Sequence, residues 1–212
     1  IENIITINDE IKPLDFQVEI LEKINDYFKS ANNGKLVLPC SYGKMYISLF
    51  HIKYKYEYVL YLVPNLLLQD QLENIAKNIL DGWDIIKINE NRSLDPFKKN
   101  LIICTYHSIH KFKETLDDLD FVIYDESHHT CVISKNDDSL FRESIFHFET
   151  AKKLFVTATQ KMYKYKENFD YKKYDMSNEI YGDTIYTKTF EEAIEQNIIS
   201  DYILCIPNLG ST

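Results

Sequence analysis

Arginine is nearly missing from this chain: of its 24 basic residues only Arg92 and Arg142 are arginines, and the rest are lysines. With Ile, Asn and Tyr plentiful and Gly scarce, this bias reads as the background of an A/T-rich genome rather than as mechanism. Glycine and proline number five each in 212 residues, which excludes collagen-like and low-complexity compositions. No apolar run approaches the ~20 residues that a membrane-crossing helix needs. Cys40, Cys104, Cys131 and Cys205 form no CxxC pair, and Cys104 and Cys205 sit inside apolar strand-like runs, so reduced thiols in an intracellular protein are expected. A net charge of −9 argues against a generally basic nucleic-acid binder, leaving only a local patch for such contacts. The start, Ile1-Glu2-Asn3, has neither an initiator Met nor a signal-peptide pattern and reads as a processed or excised piece.

The composition that is present, 45% hydrophobic and 14% aromatic, is enough for a full core. Near-continuous Val/Ile/Leu runs alternate with stretches of helical period, which indicates βαβ units, a parallel sheet and an α/β fold. The expected strands are Lys35 to Pro39, Tyr58 to Val63, Asp84 to Ile88, Leu101 to Cys104, Phe121 to Tyr124, Lys153 to Thr157 and Tyr202 to Ile206. The expected helices are Asp15 to Lys29, Gly43 to Ile52, Leu66 to Leu80, Tyr106 to Phe112, Leu140 to Phe148 and Phe190 to Gln196. Ser134 to Ser139 reads as an insertion loop. Residues 1–176 form the expected main domain. Residues 177–212 read as turn, strand, helix and strand, either the outer edge of the same sheet or a bridge to a further domain, with Pro207 to Thr212 as linker.

Chemistry concentrates at three strand ends. Asp125 and Glu126 follow Phe121 to Tyr124, where one carboxylate can hold a phosphate-bound Mg²⁺ and the other can polarise an attacking water. Upstream, Leu36 to Met45 reads as strand, tight turn and helix, which aims backbone N–H groups and the Lys44 ammonium at an anion. The strict motif G-x-x-x-x-G-K-[ST] fails at Leu38 and at Met45, whose thioether is a poor ligand for a hard cation. Downstream, the hydroxyls of Thr157 and Thr159 are candidates to bond His128. The set His107, His110, His128, His129 and Cys131 suggests zinc only weakly, because no pair has a familiar ligand spacing on both sides. Lys161 to Tyr174 mixes lysines with aromatics, a composition suited to single-strand contact or to a solvated loop.

Taken together, these motifs resemble the first RecA-like motor domain of superfamily 2 helicases and translocases, especially the DExH-type group of restriction enzymes and large DNA viruses. The resemblance covers nearly the whole chain. Pro13-Leu14-Asp15-Phe16-Gln17 looks like the adenine-reading motif, with Gln17 on the base, and Pro39-Cys40-Ser41-Tyr42-Gly43-Lys44-Met45 looks like the phosphate loop. Asp125-Glu126-Ser127-His128 is similar to the DExH motif, and Thr157-Ala158-Thr159 to the motif that couples it to nucleic acid. Tyr61-Leu62-Val63-Pro64-Asn65 and Cys104-Thr105-Tyr106-His107-Ser108 resemble the two motifs that touch the nucleic-acid backbone. The resemblance implies a RecA-like P-loop NTPase fold, a mostly parallel sheet with helices on both faces. It also implies ATP with Mg²⁺ on Asp125, Lys44 and Glu126 in catalysis, and His128, Thr157 and Thr159 in coupling. Pro64, Asn65, Thr105 and Tyr106 become the expected contacts to nucleic acid, DNA rather than RNA, and a second RecA-like domain of the same protein becomes the expected partner. Neither arginine lies in a motif that would reach across such a cleft, so the domain alone is expected to turn ATP over slowly. A degenerate module that kept the fold but lost turnover, as Met45 suggests, is the alternative.

Overall fold

The computed structural model describes residues 11–88, 95–112, 116, 118–131, 139–162 and 175–201. Arg92, the loop residues 134–138, most of the lysine and aromatic stretch (163–174), the expected strand Tyr202 to Ile206 with Cys205, and the Pro207 to Thr212 tail lie outside the described residues, as does Ile1-Glu2-Asn3. Among the described residues seven strands form one sheet, β1 (Asn33–Val37), β2 (Tyr58–Val63), β3 (Asp84–Lys87), β4 (Asn100–Thr105), β5 (Phe121–Tyr124), β6 (Lys152–Thr157) and β7 (Asp183–Thr187). Every pairing is parallel, in the order β3-β4-β2-β5-β6-β1-β7. The helices are α1 (Asp15–Tyr27), α2 (Lys44–Lys53), α3 (Leu66–Ile79), α4 (Tyr106–Ile109), α5 (Ser139–His147) and α6 (Phe190–Glu195).

The side-chain period of two divides the apolar runs between two cores. On β2, Val59, Tyr61 and Val63 face one cluster with α1 and α2 residues such as Ile20, Ile24, Ile47 and Leu49. Leu60 and Leu62 face the other, with Tyr106 and Ile109 of α4 and Phe141 and Ile145 of α5. Burial on both faces is what a parallel sheet requires, and it explains why the strands read as unbroken apolar runs. β7 pairs with β1 at one edge of the described sheet, so the first strand of the C-terminal segment belongs to the same sheet. No helix among the described residues is long and apolar enough to cross a membrane.

Element ends differ from the expectation where backbone hydrogen bonding decides them. β1 starts earlier, because Asn33 and Gly34 pair with Lys153 and Leu154, and stops before Pro39, which has no N–H to donate. α2 begins at Lys44 because Gly43 sits at φ 80°, outside helical geometry. α4 ends at Ile109 rather than Phe112.

His51 of α2 is buried at the end of the sheet where β5 begins, ringed by Phe28, Tyr56 and Phe121. Its Nδ1 lies 2.8 Å from Asn25 Oδ1. Burial, then the charges of Lys55 and Lys152, lowers its pKa to about 3. Below the ordinary value near 6.5 the unfolded chain gains a proton that the folded one refuses, so stability falls as pH drops from there toward 3. The slope is up to about 1.4 kcal/mol per pH unit. Urea unfolding at pH 7.5 and 5.5 is expected to show this loss in the unaltered chain and to show it removed in His51→Phe. Equal slopes in the two proteins would contradict it.

Candidate nucleotide site

Strand order assembles the site. β5, β6 and β1 are neighbours although about 120 residues separate their ends, so their C-terminal loops converge where open α/β sheets bind ligands. The ladders continue past the strands: Leu38 N–H donates to Thr157 O (2.9 Å), and Asp125 N–H donates to Leu62 O (2.9 Å). The Ser127 hydroxyl donates to Val156 O at 3.1 Å, tying the turn after β5 to β6.

A cavity of about 270 Å³ is lined by Ser41, Gly43, Lys44 and Met45 together with Asp125 and Glu126. Ser41 and Glu126 hold left-handed backbone at φ 63° and 46°, conformations that non-glycine residues keep only where their surroundings enforce them. The Lys44 ammonium, 9% exposed, bonds the carbonyls of Leu38 (3.3 Å) and Pro39 (3.4 Å) and lies 3.7 Å from Glu126 Oε1. It is held at the cavity wall by weak partners that an anion can replace.

The two carboxylates have opposite environments. Burial and then the neighbouring Glu126 charge raise the Asp125 pKa to about 7, against the pull of Lys44. His128 lowers that of Glu126, overcoming its partial burial, and Lys44 adds to the effect. His128 Nδ1 lies 3.4 Å from Glu126 Oε2 and 3.0 Å from Thr157 Oγ1. The Thr157 hydroxyl also donates to Thr159 O at 3.0 Å and accepts the Thr159 N–H at 3.2 Å. With its one proton spent on Thr159, Thr157 can only accept from the ring, which assigns the proton to His128 Nδ1, as donor to both Thr157 and Glu126. The expected bond between the threonine hydroxyl and the histidine is therefore present.

Gln17 is buried on the first turn of α1. Its Oε1 accepts the Leu14 N–H at 3.0 Å, and a Cβ on Gly43 would come within 2.7 Å of its Nε2. It lines a larger cavity, about 690 Å³, beside Ser41, Tyr42 and Gly43. Within the phosphate loop Cys40 is exposed, while the Tyr42 side chain is buried against Phe16 at 4.9 Å between ring centroids, so Tyr42 can contribute backbone only. Residues not singled out from sequence also line these cavities: Tyr46 borders both, and Asn197 and Ile198 border the larger. Nothing in their local sequence marks them.

Pro64, Asn65 and Thr105 share a separate groove with the exposed Leu66 and Leu67, although Asn65 Oδ1 also caps α3 by accepting the Leu68 N–H at 3.0 Å. Tyr106 corrects the expectation of a surface contact. Its side chain is wholly buried, and its hydroxyl donates to Asp125 O at 2.8 Å, so it supports the carboxylate turn from beneath. The histidines do not gather either: among the described residues no three His, Cys, Asp or Glu side chains are placed to hold a metal. His107 packs on Phe141, and Cys131 is buried with its thiol on the Tyr181 hydroxyl.

Asp125 suits Mg²⁺: it is a buried carboxylate facing a cavity, and a cation would relieve its raised pKa. Met45 does not supply the hydroxyl ligand usual beside it.

A family model, that of the Type III restriction enzyme res subunit, matches residues 10–162. The Type I restriction enzyme EcoAI endonuclease subunit of Escherichia coli is 26% identical over 200 residues, which cover 86% of this chain and 23% of that protein. The chain thus spans under a quarter of that relative's length. Among solved structures, the ATP-dependent Type ISP restriction-modification enzyme LlaBIII bound to DNA matches with a TM-score of 0.72 and 24% identity, covering 91% of this chain and 16% of its own. The SWI2/SNF2 ATPase core of Sulfolobus solfataricus in complex with dsDNA matches with a TM-score of 0.57 and 15% identity, covering 72% of this chain and 33% of its own. At these identities the structural likeness speaks to the fold. The chain belongs to the family of the Type III restriction enzyme res subunit and has the RecA-like fold of its helicase-type domain.

Proposed function

We propose that this chain is the ATP-binding half of a motor that couples ATP hydrolysis to movement along DNA, as a helicase or translocase. The observation that carries the reading is the meeting of Lys44, Asp125 and Glu126 on one cavity beside the Gln17 cavity. In this reading Gln17 contacts the base, and the loop from Pro39 through Gly43 and the start of α2 receive the phosphates. Lys44 leaves its two carbonyl partners for a phosphate oxygen. Mg²⁺, when bound, neutralises phosphate charge, with Asp125 as its protein ligand. Glu126, kept ionised by His128, takes the proton of the attacking water. His128 and Thr157 then link the state of Glu126 to the turn after β6.

DNA in the two solved relatives named above supports DNA over RNA as the track, and the groove shared by Pro64, Asn65 and Thr105 is the surface we assign to it. Residues 1–176 supply Gln17, the phosphate loop and both carboxylates, and we read residues 177–212, which add the sheet edge, as the lead toward a second RecA-like domain. Arg142 lies over the Phe146 ring and lines neither cavity. Since neither Arg92 nor Arg142 lies in a motif that would reach across the cleft, we assign to that second domain the cation that stabilises the transferring phosphoryl group, which is worth roughly 10³ to 10⁵ in rate.

Binding of a fluorescent ATP analogue tests the site. Lys44→Ala is expected to weaken it at least about tenfold, the loss of one charge-assisted hydrogen bond. Met45→Thr is expected to strengthen it only when Mg²⁺ is present. Met45 also favours a second reading, a degenerate nucleotide- or nucleic-acid-binding module without turnover. That reading predicts binding indifferent to Mg²⁺ and to Met45→Thr.

A further inference from the structure

We propose that Asn197, at the turn that ends α6, is a base-specificity residue of the larger cavity, placing its carboxamide on the purine edge. This inference rests on the nucleotide reading above. Three stretches of chain line that cavity: the start of α1 with Leu14 and Gln17, the phosphate loop, and Asn197 with Ile198, which lie about 180 residues further on. Its volume of about 690 Å³ is in the range of small-molecule sites. Ile11 and Leu14 expose 38% and 59% of their surface at the same cavity, apolar area that a flat ring would cover.

The turn is a Schellman motif. Asn197 N–H donates to Ile194 O at 2.8 Å and Ile198 N–H donates to Ala193 O at 3.0 Å, while Ile198 packs against the core. Asn197 occupies the left-handed position at φ 55°, where glycine is the residue of least cost. Asparagine is the other residue that such a turn admits, and it adds a carboxamide that glycine lacks. Asn197 lines the cavity from the opposite end of the sequence to Gln17.

Gln17 alone makes an incomplete reader. Its Oε1 is already engaged by the Leu14 N–H, which leaves Nε2 as its free donor. Adenine presents an exocyclic amine, a donor, beside ring nitrogens that accept. A second carboxamide supplies the acceptor for that amine and a donor for a ring nitrogen. Guanine carries an oxo group in place of the amine and cannot satisfy both partners in the same pose.

The test compares Mg-ATP, Mg-GTP and inorganic tripolyphosphate as ligands of the unaltered chain, Asn197→Gly and Lys44→Ala, by calorimetric titration. Glycine keeps the turn, so thermal melting of Asn197→Gly is expected to match the unaltered chain. Asn197→Gly is expected to weaken ATP about fivefold, the worth of one neutral hydrogen bond. The preference for ATP over GTP should fall by a similar factor, and tripolyphosphate should be unaffected. Lys44→Ala is expected to weaken ATP and tripolyphosphate together. If Asn197→Gly leaves ATP unchanged, or weakens tripolyphosphate as much as ATP, the role of Asn197 is overturned while the phosphate site stands. If the unaltered chain binds neither ATP nor tripolyphosphate, both readings fall.

Discussion

Glu126→Gln is expected to lower ATP hydrolysis by the whole protein carrying this chain by about 10² to 10⁴-fold, the usual worth of a positioned general base. Mg-ATP binding should stay within a few-fold. Gln preserves the volume and can still accept the N–H of His128, which now lies 3.4 Å from Glu126 Oε2. It cannot take a proton from water. The design of the site makes this separation clean: the left-handed backbone at Glu126 fixes where the side chain starts, and the His128 hydrogen bond keeps the carboxylate ionised. Asp125, held mostly protonated up to about pH 7 by burial, is no substitute base until a cation binds it. Unchanged turnover in Glu126→Gln would remove Glu126 from the chemistry.

Gly182→Ala is expected to cost about 3 kcal/mol of stability or more, beyond the roughly 1 to 3 kcal/mol of backbone strain alone. Gly182 lies at φ 66° and ψ −170°, a region that only glycine enters freely. A Cβ there would overlap the carbonyl of Asn33 and approach Gly34 N at 2.9 Å. These are backbone atoms at the start of β1, and neither can turn aside. The peptides on both sides of this glycine are anchored, one by Gly182 N–H donating to Glu179 O (2.9 Å) and the other by Lys35 Nζ donating to Gly182 O. Relief therefore means prying β7 from β1. Gly82 is a control: it too has positive φ (77°), but nothing lies within 4 Å of its Cβ position. Gly82→Ala is expected to cost about 1 kcal/mol, read by urea unfolding. Equal losses at the two positions would contradict the overlap.

The sheet and the carboxylate turn were legible because buried parallel strands read as apolar runs and because Asp125-Glu126 follows one of them directly. Strand order was not legible, since nothing in the sequence of β1, β5 and β6 says that they are neighbours. The resemblance to superfamily 2 motors, not the spacing, brought Lys44, Glu126 and Thr157 together in advance. Tyr106 was misplaced because strand-end residues alternate between surface and interior. Position after β4 does not show that its hydroxyl turns inward to the Asp125 carbonyl. Asn197 was invisible for another reason: its local pattern specifies only a helix end, and its cavity is built by residues at the far end of the chain.

The function proposed for this fold is an ATP-driven motor that moves along DNA. The most direct measurement is ATP hydrolysis by the unaltered whole protein with and without duplex DNA. The account predicts Mg²⁺-dependent hydrolysis that rises severalfold or more when DNA is added. Hydrolysis that is absent, or that proceeds at the same rate with and without DNA, would contradict it.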